Sequence, residues 1–460
     1  SGRAKSYTEI FKHEKLEMNI KMKSIKVLSI LLGLIFSTGI SQAQSVRLSL
    51  KDALNYAVRN NEAVKKARLD IEGGKYKTQE VRASALPQIT GTGTVTDQLI
   101  KQQLFFNGQA IQVGTTYNAS AQAQLSQQLF NQQVFTGLKA AKSSEDYYNL
   151  NAALTEENTI EQVATNYYQV LVNRQKLAVI DTNIKNVQRI EQIVNTQYKN
   201  GLAKKIDLDR VRVNITNLRN QRDQLVNGIT QQENVLKFYM GMPVNTVIEI
   251  PELELTSINP TAQDLGRTDS LNLNNRTEYQ IIKKQEDLLT LQKKAYQAEH
   301  YPSLALTSNY SYNGLSDNID FKGAQKFDMA AIGLTLRIPI FDGFATRSRV
   351  RQAQVDILQN KEDQKNLSNS LNLAFENAKS QIRNSLNTIK SQTENVRLAE
   401  EVYETTQNNY RNGLAGLTDL LDAENALTEA QNSHSQALLN YKLAEIQLIK
   451  SNGNIKSLLN

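Results

Sequence analysis

The sequence predicts a mainly α-helical protein that carries four β-strands in addition and arose by tandem duplication. Three observations lead to this prediction. A motif recurs 212 residues further along the chain, apolar residues follow a seven-residue spacing in two long segments, and four shorter segments alternate apolar with polar residues. The composition agrees, because 460 residues without Cys or Trp, with only six Pro and with abundant Gln, Asn, Leu, Ala, Lys and Glu favour long helices.

The recurring motif divides the chain into two repeats. Tyr198–Ala203 (YKNGLA) returns as Tyr410–Ala415 (YRNGLA), and an Asp-Leu pair follows each copy. At the same separation Gly241 aligns with Gly453, so the final helix is expected to have equal length in both repeats. The predicted organisation is an upstream segment with a signal peptide (1–43), a first repeat (44–241), a linker (242–275), a second repeat (276–453) and a C-terminal tail (454–460). Each repeat is expected to contain a helix, two strands and two long helices joined by a turn.

The last segment of each repeat shows the seven-residue spacing of a coiled coil. In the second repeat the spaced positions are Leu420, Leu427, His434, Tyr441 and Leu448, and alanines follow three residues behind them. The first repeat keeps this frame from Leu208 to Leu236, with Arg222 at the position of His434. The preceding segments, about 134–199 and 345–411, are predicted to be helices that reach roughly 100 Å at 1.5 Å per residue.

Four segments change to a period of two, namely 89–96, 113–125, 304–312 and 330–340. Every second residue from Ala330 to Ile340 is apolar, whereas Thr, Asn, Ser and Gln share one face of the other segments. Segments of about ten residues with one apolar and one small-polar face are typical of transmembrane barrel strands. An amphipathic sheet of a soluble protein is the alternative. Four strands do not close a barrel alone, so a barrel requires strands from several copies of the chain.

The N-terminal region predicts export. Lys21, Lys23 and Lys26 precede the apolar run 27–36, and the small-residue segment 41–43 follows, as in a secretory signal peptide cleaved after Ala43. A membrane anchor is the competing interpretation, but the run is shorter than the roughly 20 residues that a spanning helix needs. Without residues 1–43 the net charge falls from +7 to +3, with no basic stripe, so no nucleic-acid partner is expected.

With these motifs the chain resembles the TolC family of outer-membrane efflux proteins from Leu50 to Gly453. The most specific pieces are residues 336–343 (LRIPIFDG) and 410–423, where YRNG is followed by DLLDA. The resemblance implies long antiparallel coiled-coil helices that form a periplasmic tunnel, and a homotrimer whose strands form one transmembrane β-barrel in the outer membrane. It also implies outer-membrane lipid, a periplasmic adaptor (membrane fusion) protein, and an inner-membrane pump or secretion ATPase as partners.

The resemblance also implies a pore entrance. Asp419 and Asp422 are three residues apart and therefore lie on one helical face. They match family carboxylates that form rings at the entrance of the tunnel, and charged rings in a narrow pore select ions by sign. A simpler role exists for both residues, because acidic side chains near a helix N-terminus are favoured by the helix dipole.

The turns beside the entrance carry the remaining predicted site residues. The adaptor-contact candidates are Gly201, Leu202, Gly413 and Leu414, although glycine at such a turn is also explained by helix capping. Tyr410 and Asp207 match positions that hold the entrance shut in the family. Ala415 stands where some members place a locking Arg, so either the lock is weaker in this chain or Arg210 and Lys204 substitute for that Arg.

The sequence offers no catalytic or metal-binding pattern. His13, His300 and His434 do not suggest a shared metal site, and neither a phosphate loop nor a Ser-His-Asp set is visible. The great majority of the carboxylates on the coils are expected to be solvated. The chain is therefore predicted to be neither an enzyme nor a cofactor-binding protein. The alternative to a passive, end-gated channel of an efflux or type I secretion system is a non-conducting periplasmic coiled-coil scaffold or adaptor.

Overall fold

The computed structural model describes residues 46–251 and 271–459. The predicted signal peptide, its cleavage site, the middle of the linker and Asn460 lie outside the described residues. In chain order the elements are Val46–Arg47 (β1), Leu50–Asn60 (α1), Glu62–Ala83 (α2), Gln88–Asp97 (β2), Gln102–Phe106 (β3), Gln109–Val113 (β4), Tyr117–Phe130 (β5), Gln132–Lys199 (α3), Lys205–Met240 (α4), Ile248–Glu249 (β6), Thr277–Ala298 (α5), Ser303–Ser316 (β7), Gln325–Arg337 (β8), Ala345–Arg411 (α6) and Leu417–Ser451 (α7).

Two short parallel strands, β1 and β6, form a small unit of their own, in which Val46 pairs with Ile248. The large unit contains all seven α-helices of the described residues and a four-stranded sheet. The predicted fold class, mainly helical with four paired strands, is confirmed. No helix in the described ranges combines the length and apolar character needed to cross a membrane.

The sheet is antiparallel, with the order β2-β5-β7-β8, so β2 and β8 are its two free edges. Thr92 lies opposite Gln122, and Gln122 lies opposite Ser311. Because residues opposite each other in a sheet point to the same face, the polar sides of β2, β5 and β7 coincide. The other face carries Leu306 opposite Leu334. The two-faced character predicted for single strands therefore belongs to the whole sheet.

The observed strands differ from the predicted bounds by up to five residues, and two of these differences have an identifiable cause. The segment predicted over 113–125 begins only at Tyr117, because Val113 belongs to a separate hairpin of β3 and β4 that the sequence did not reveal. The segment predicted over 330–340 ends at Arg337. Pro339 lacks a backbone N–H and so cannot continue the ladder. The helix expected before the first strand is interrupted at Asn61, whose side chain caps α2 by accepting from Ala63 N and Val64 N.

The long helices form two antiparallel pairs, α3 with α4 and α6 with α7. The predicted seams are mostly buried, with Leu208 and Leu236 in α4 and Leu420 and Leu448 in α7 each at most 4% exposed. Both seams have a polar interruption at equivalent positions. Arg222 Nε donates to Asp181 Oδ1 at 2.6 Å in the first pair, and His434 Nε2 lies 3.3 Å from Thr393 Oγ1 in the second.

Both repeats end in the same interlock between the last helix and the start of the short helix. Gly241 and Gly453 follow α4 and α7 with φ of 68° and 83°. A Cβ at either glycine would lie 2.5 Å from a backbone oxygen, that of Asn60 or Asn275. Side chains reinforce each contact, because Asn61 Nδ2 donates to Tyr239 O at 2.8 Å, and Arg276 donates to Ser451 O at 2.6 Å. The glycine alignment found in the sequence therefore has a steric cause.

The two helix pairs meet along α3 and α7. We call this contact the polar seam and define it by five residue pairs. They are Asn186–Glu424, Asn183–Thr428, Lys176–Gln436, Tyr168–Lys442 and Glu161–Lys450. The first four are polar or cation–aromatic contacts, and the last is an ion pair of 2.5 Å. Residue numbers fall on α3 as they rise on α7, so the helices run antiparallel in one register.

Candidate pore entrance and helix tips

Both helix tips close with the same capping geometry. Gly201 and Gly413 have φ of 77° and 76°, and the N–H groups of the following leucines donate back to Gln197 O and Asn409 O at 2.8 Å. This is the Schellman arrangement, which explains the glycines without any partner. It does not explain the leucines, because Leu202 and Leu414 are 79% and 77% exposed. Each tip therefore presents one uncovered apolar side chain.

The two predicted entrance carboxylates differ in their local roles. Asp419 Oδ2 accepts the Gly416 N–H at 2.9 Å, so Asp419 caps the N-terminus of α7. Asp422 lies one turn further along and has no place in this cap. Both side chains are exposed in the single chain. Capping thus accounts for Asp419 but not for the exposed Asp422.

The predicted lock residues fall into two groups. Tyr410 donates its hydroxyl to Gln197 Oε1 at 3.2 Å, and burial together with the nearby Asp207 charge raises the pKa of Tyr410. Gln197 was not predicted, because its role depends on the approach of α6 to the end of α3. Lys204 and Arg210 are exposed and form no ion pair within the described ranges. The structure therefore joins Tyr410 to Gln197 by a hydrogen bond, places Asp207 near enough for its charge to act on Tyr410, and leaves the two cations exposed.

Beneath the tips, the four long helices share one apolar core. It includes Val187 and Val194 of α3, Val211 of α4, Tyr403 of α6 and Leu420 of α7. Movement of one helix pair against the other would therefore separate apolar groups as well as the polar seam.

One buried carboxylate in this region was missed by sequence reasoning. Glu424 is only 1% exposed, and Asn186 Nδ2 lies 3.4 Å from its Oε1. Burial raises the pKa of Glu424. Glu424 is an exception to the expected solvation of coil carboxylates, and so is Glu445, which forms a buried 3.0 Å ion pair with Lys442. One indication of this burial was present in the sequence, because Glu424 directly follows Ala423, a residue of the seven-residue pattern. The burial itself depends on α3 of the other repeat, which a local pattern does not reveal.

No cluster of three or more His, Cys, Asp or Glu side chains within residues 46–251 and 271–459 could hold a metal ion. His434 instead lies in the α6–α7 seam beside Thr393, and its pKa is lowered by burial. The chemistry available in this region is charge, hydrogen bonding and helix packing.

Comparison with known proteins gives a consistent result. The family model described as outer membrane efflux protein matches residues 53–242 and 271–454. Outer membrane protein TolC of Escherichia coli (strain K12) is 24% identical over 446 residues, covering 94% of this chain and 87% of that protein. The proteases secretion protein PrtF of Dickeya chrysanthemi is 22% identical, covering 90% of this chain and 91% of that protein. The solved structure of outer membrane protein VceC from Vibrio cholerae has the same fold, with a TM-score of 0.73, 15% identity and coverage of 88% and 96%.

Proposed function

Because the chain belongs to the outer membrane efflux protein family and is therefore a non-enzymatic protein of the outer membrane, we propose that three copies of it form a passive exit duct that extends into the periplasm. The family resemblance expected from the sequence motifs is confirmed by the family match. The trimer, the closed barrel, the gate and the partners are our proposals, and each is supported by features of the single chain.

The observation that carries the proposal is the incomplete sheet. Its apolar face is uncovered, with Ile332, Leu334 and Leu336 each 59–77% exposed. Its edges β2 and β8 run in opposite directions, since three antiparallel pairings separate them. The β8 edge of one copy can therefore pair antiparallel with the β2 edge of the next. Repetition of that step closes a barrel with the apolar face toward lipid and the Thr, Gln, Asn and Ser face toward the lumen.

The duplication supports the same assembly in the helical part. The contact between the first and second repeats within one chain is a template for the contact between the second repeat and the first repeat of the next chain. Adding 212 to the α3 residue numbers of the polar seam gives positions on α6, and subtracting 212 from its α7 numbers gives positions on α4. The equivalent contact therefore lies between α6 of one copy and α4 of the next. The pair Asn183–Thr428 then becomes Asn395 with Thr216, the same two residue types, and both are exposed in the single chain.

The other end of this predicted contact is apolar. The ion pair Glu161–Lys450 becomes Leu373 with Phe238, which are 63% and 69% exposed in the single chain. Two large apolar side chains left open at equivalent positions are the expected sign of an interface that is completed by another copy. We therefore assign the α6–α4 contact between neighbouring copies to these pairs.

The periplasmic end is proposed as the gate. Threefold symmetry would bring three copies of Asp419 and Asp422 to one constriction, where they favour cations. Tyr410, Gln197 and Asp207 would hold the tips within one copy, and the outward-facing Lys204 and Arg210 would engage a neighbour. The exposed Leu202 and Leu414, with their glycines, are the proposed contacts of a periplasmic adaptor.

The duct has no energy source of its own, so we propose an adaptor and an inner-membrane pump or secretion ATPase as partners. The polar sheet face is permissive, because small neutral side chains discriminate little between solutes. The protein is therefore proposed to serve an efflux or type I secretion system, in which cargo is chosen by the pump. PrtF is named for protease secretion, which supports a polypeptide as one cargo class.

Single-channel recording in a planar lipid bilayer tests the conducting function. The wild type is expected to give stable, cation-preferring openings, and Asp419→Asn/Asp422→Asn is expected to lose that preference while still conducting. Asp70→Asn, which removes an exposed carboxylate from α2, is the matched control and should behave as wild type. Folded protein that never conducts would favour the non-conducting periplasmic scaffold.

Cysteine cross-linking tests the assembly, and the chain is suited to it because it contains no Cys. The pair Asn395→Cys/Thr216→Cys is expected to link neighbouring copies into covalent dimers and trimers. The internal counterpart Asn183→Cys/Thr428→Cys should link only within one chain and run as a monomer on a denaturing gel. If the first pair also yields only monomers, the repeat-based interface is wrong.

A further inference from the structure

The polar seam contains more buried acceptors than donors around Glu424. Asn186 donates its amide N–H to one carboxylate oxygen, and Asn183 donates its amide N–H to the Thr428 hydroxyl. Two oxygens remain without a hydrogen bond among the described residues, Oε2 of Glu424 and Oδ1 of Asn183. Glu424 and Asn183 are 1% and 3% exposed, and their pairs are neighbouring contacts of the seam. Buried acceptors without donors are costly, so this arrangement lacks a donor.

The groups that face Glu424 do not neutralise a negative charge there. From α3 it meets Asn186, which is neutral. From α6 it meets the Tyr403 phenol, whose oxygen accepts from Gln407 at 2.9 Å and whose pKa is raised to about 12 by burial, so this neighbour is uncharged as well. Arg189 and Arg411 act on Tyr403 and lower its pKa, against the larger raising effect of burial. The pKa of Glu424 is raised by burial, and its polar neighbours Asn186 and Tyr403 lower it by a smaller amount.

A proton on Glu424 would correct both deficits. It would remove a charge from a buried carboxylate that forms no ion pair within residues 46–251 and 271–459, and it would turn one surplus acceptor into a donor. We propose that Glu424 is a proton-operated latch, which holds a proton while α3 and α7 are packed and which loosens the polar seam when that proton leaves to solvent. The proposal concerns the contact between the helix pairs, and its meaning for gating rests on the proposed channel function.

The direction of the pH effect follows from the direction of the shift. A carboxyl group whose pKa is higher in the packed seam than in water stabilises packing at low pH, and this stabilisation is lost as pH rises through the raised pKa. The packed seam is therefore tightest in acid and loosens toward neutral and alkaline pH. This is opposite to the behaviour of a salt-bridged carboxylate, which supports packing above its pKa.

Infrared spectroscopy can detect the proton directly. The C=O stretch of a protonated carboxyl group is separate from carboxylate bands, so a difference spectrum of wild type minus Glu424→Gln isolates this residue. Glu429→Gln, an exposed carboxylate on the same helix, is the matched control. The Glu424 band is expected to persist to higher pH than the Glu429 band. If the two bands disappear together, Glu424 is an ordinary carboxylate and the latch does not exist.

A distance measurement tests the mechanical consequence. Spin labels at Thr182→Cys on α3 and Asn425→Cys on α7, both exposed positions, report the distance between the two helices. Labelled chains are mixed with an excess of unlabelled chains, so that only distances within one chain are measured. The distance distribution is expected to broaden to longer values as pH rises, and to stay in its narrow low-pH form when Glu424→Gln is added. An unchanged distribution in the wild type across the titration would overturn the latch. Neither readout depends on ion conduction, so this failure is distinct from a failure of the bilayer recording.

Discussion

Replacement of Gly453 by Ala should destabilise the protein through a single backbone contact. At φ of 83° an Ala residue is strained by about 1–2 kcal/mol, of which about 0.4–1 is recovered because Ala restricts the unfolded chain more than Gly does. The new Cβ would lie 2.5 Å from Asn275 O, a backbone atom that cannot rotate away. Such overpacking typically costs about 1–3 kcal/mol. We therefore expect Gly453→Ala to lower the free energy of unfolding by about 2–4 kcal/mol.

Gly413→Ala is the matched control, because Gly413 has nearly the same backbone angle, φ of 76°, but open space around its Cβ position. It should cost only the net backbone strain, about 1 kcal/mol or less. Denaturant unfolding in detergent, followed by far-ultraviolet circular dichroism, measures both variants against wild type. Equal midpoints for the two variants would show that the interlock with Asn275 does not resist the extra methyl group, and the steric explanation of the aligned glycines would fail.

Two further predictions concern charges at the ends of the sheet and in the coil. Hydrogen bonds from Lys101 and Thr116 hold the pKa of Asp317 at about 2. They join the connection between β2 and β5 to the connection between β7 and β8, so these two connections should stay together down to strongly acidic pH and separate only as pH falls through that value. Asp317→Asn should release them at every pH, which faster tryptic cleavage after the exposed Lys322 would report, and an unchanged cleavage rate would contradict this role. Burial lowers the pKa of His434, so the stability that the neutral ring contributes is present above its ordinary value of 6.5 and is lost as pH falls. His434→Leu should raise the free energy of unfolding by about 1 kcal/mol and reduce this acid sensitivity, and a thermal melt that shows neither change would refute the assignment.

The sequence predicted those features that repeat at short range. The seam residues Leu420 and Leu448 follow from a seven-residue period, and the sheet faces follow from a period of two, because both patterns record burial against a partner of regular geometry. The lengths of α3 and α6 were also predictable, since each is an uninterrupted segment between a strand and a glycine turn.

The sequence did not predict features that depend on contacts between the two repeats. Glu424 and Gln197 become buried or bonded only because α3 approaches α7 and α6, and no local pattern records that approach. The hairpin of β3 and β4 was missed for another reason: most of its residues are exposed, so the alternation that marks a half-buried strand is weak there. Gly241 and Gly453 were matched by alignment, yet their function as contact points could be seen only in three dimensions.

The free edges of the sheet also bear on how much of the protein a cell must make. A lone chain leaves the ladders of β2 and β8 open and an apolar face in water, so it is both prone to aggregation and vulnerable to proteases. In the proposed trimer these surfaces are covered only when three chains assemble. The concentration of trimer then depends on the third power of the concentration of free chain. A modest fall in synthesis should therefore cause a disproportionate loss of trimer. The open strand edges thus make the yield of assembled protein depend steeply on how much chain is synthesised.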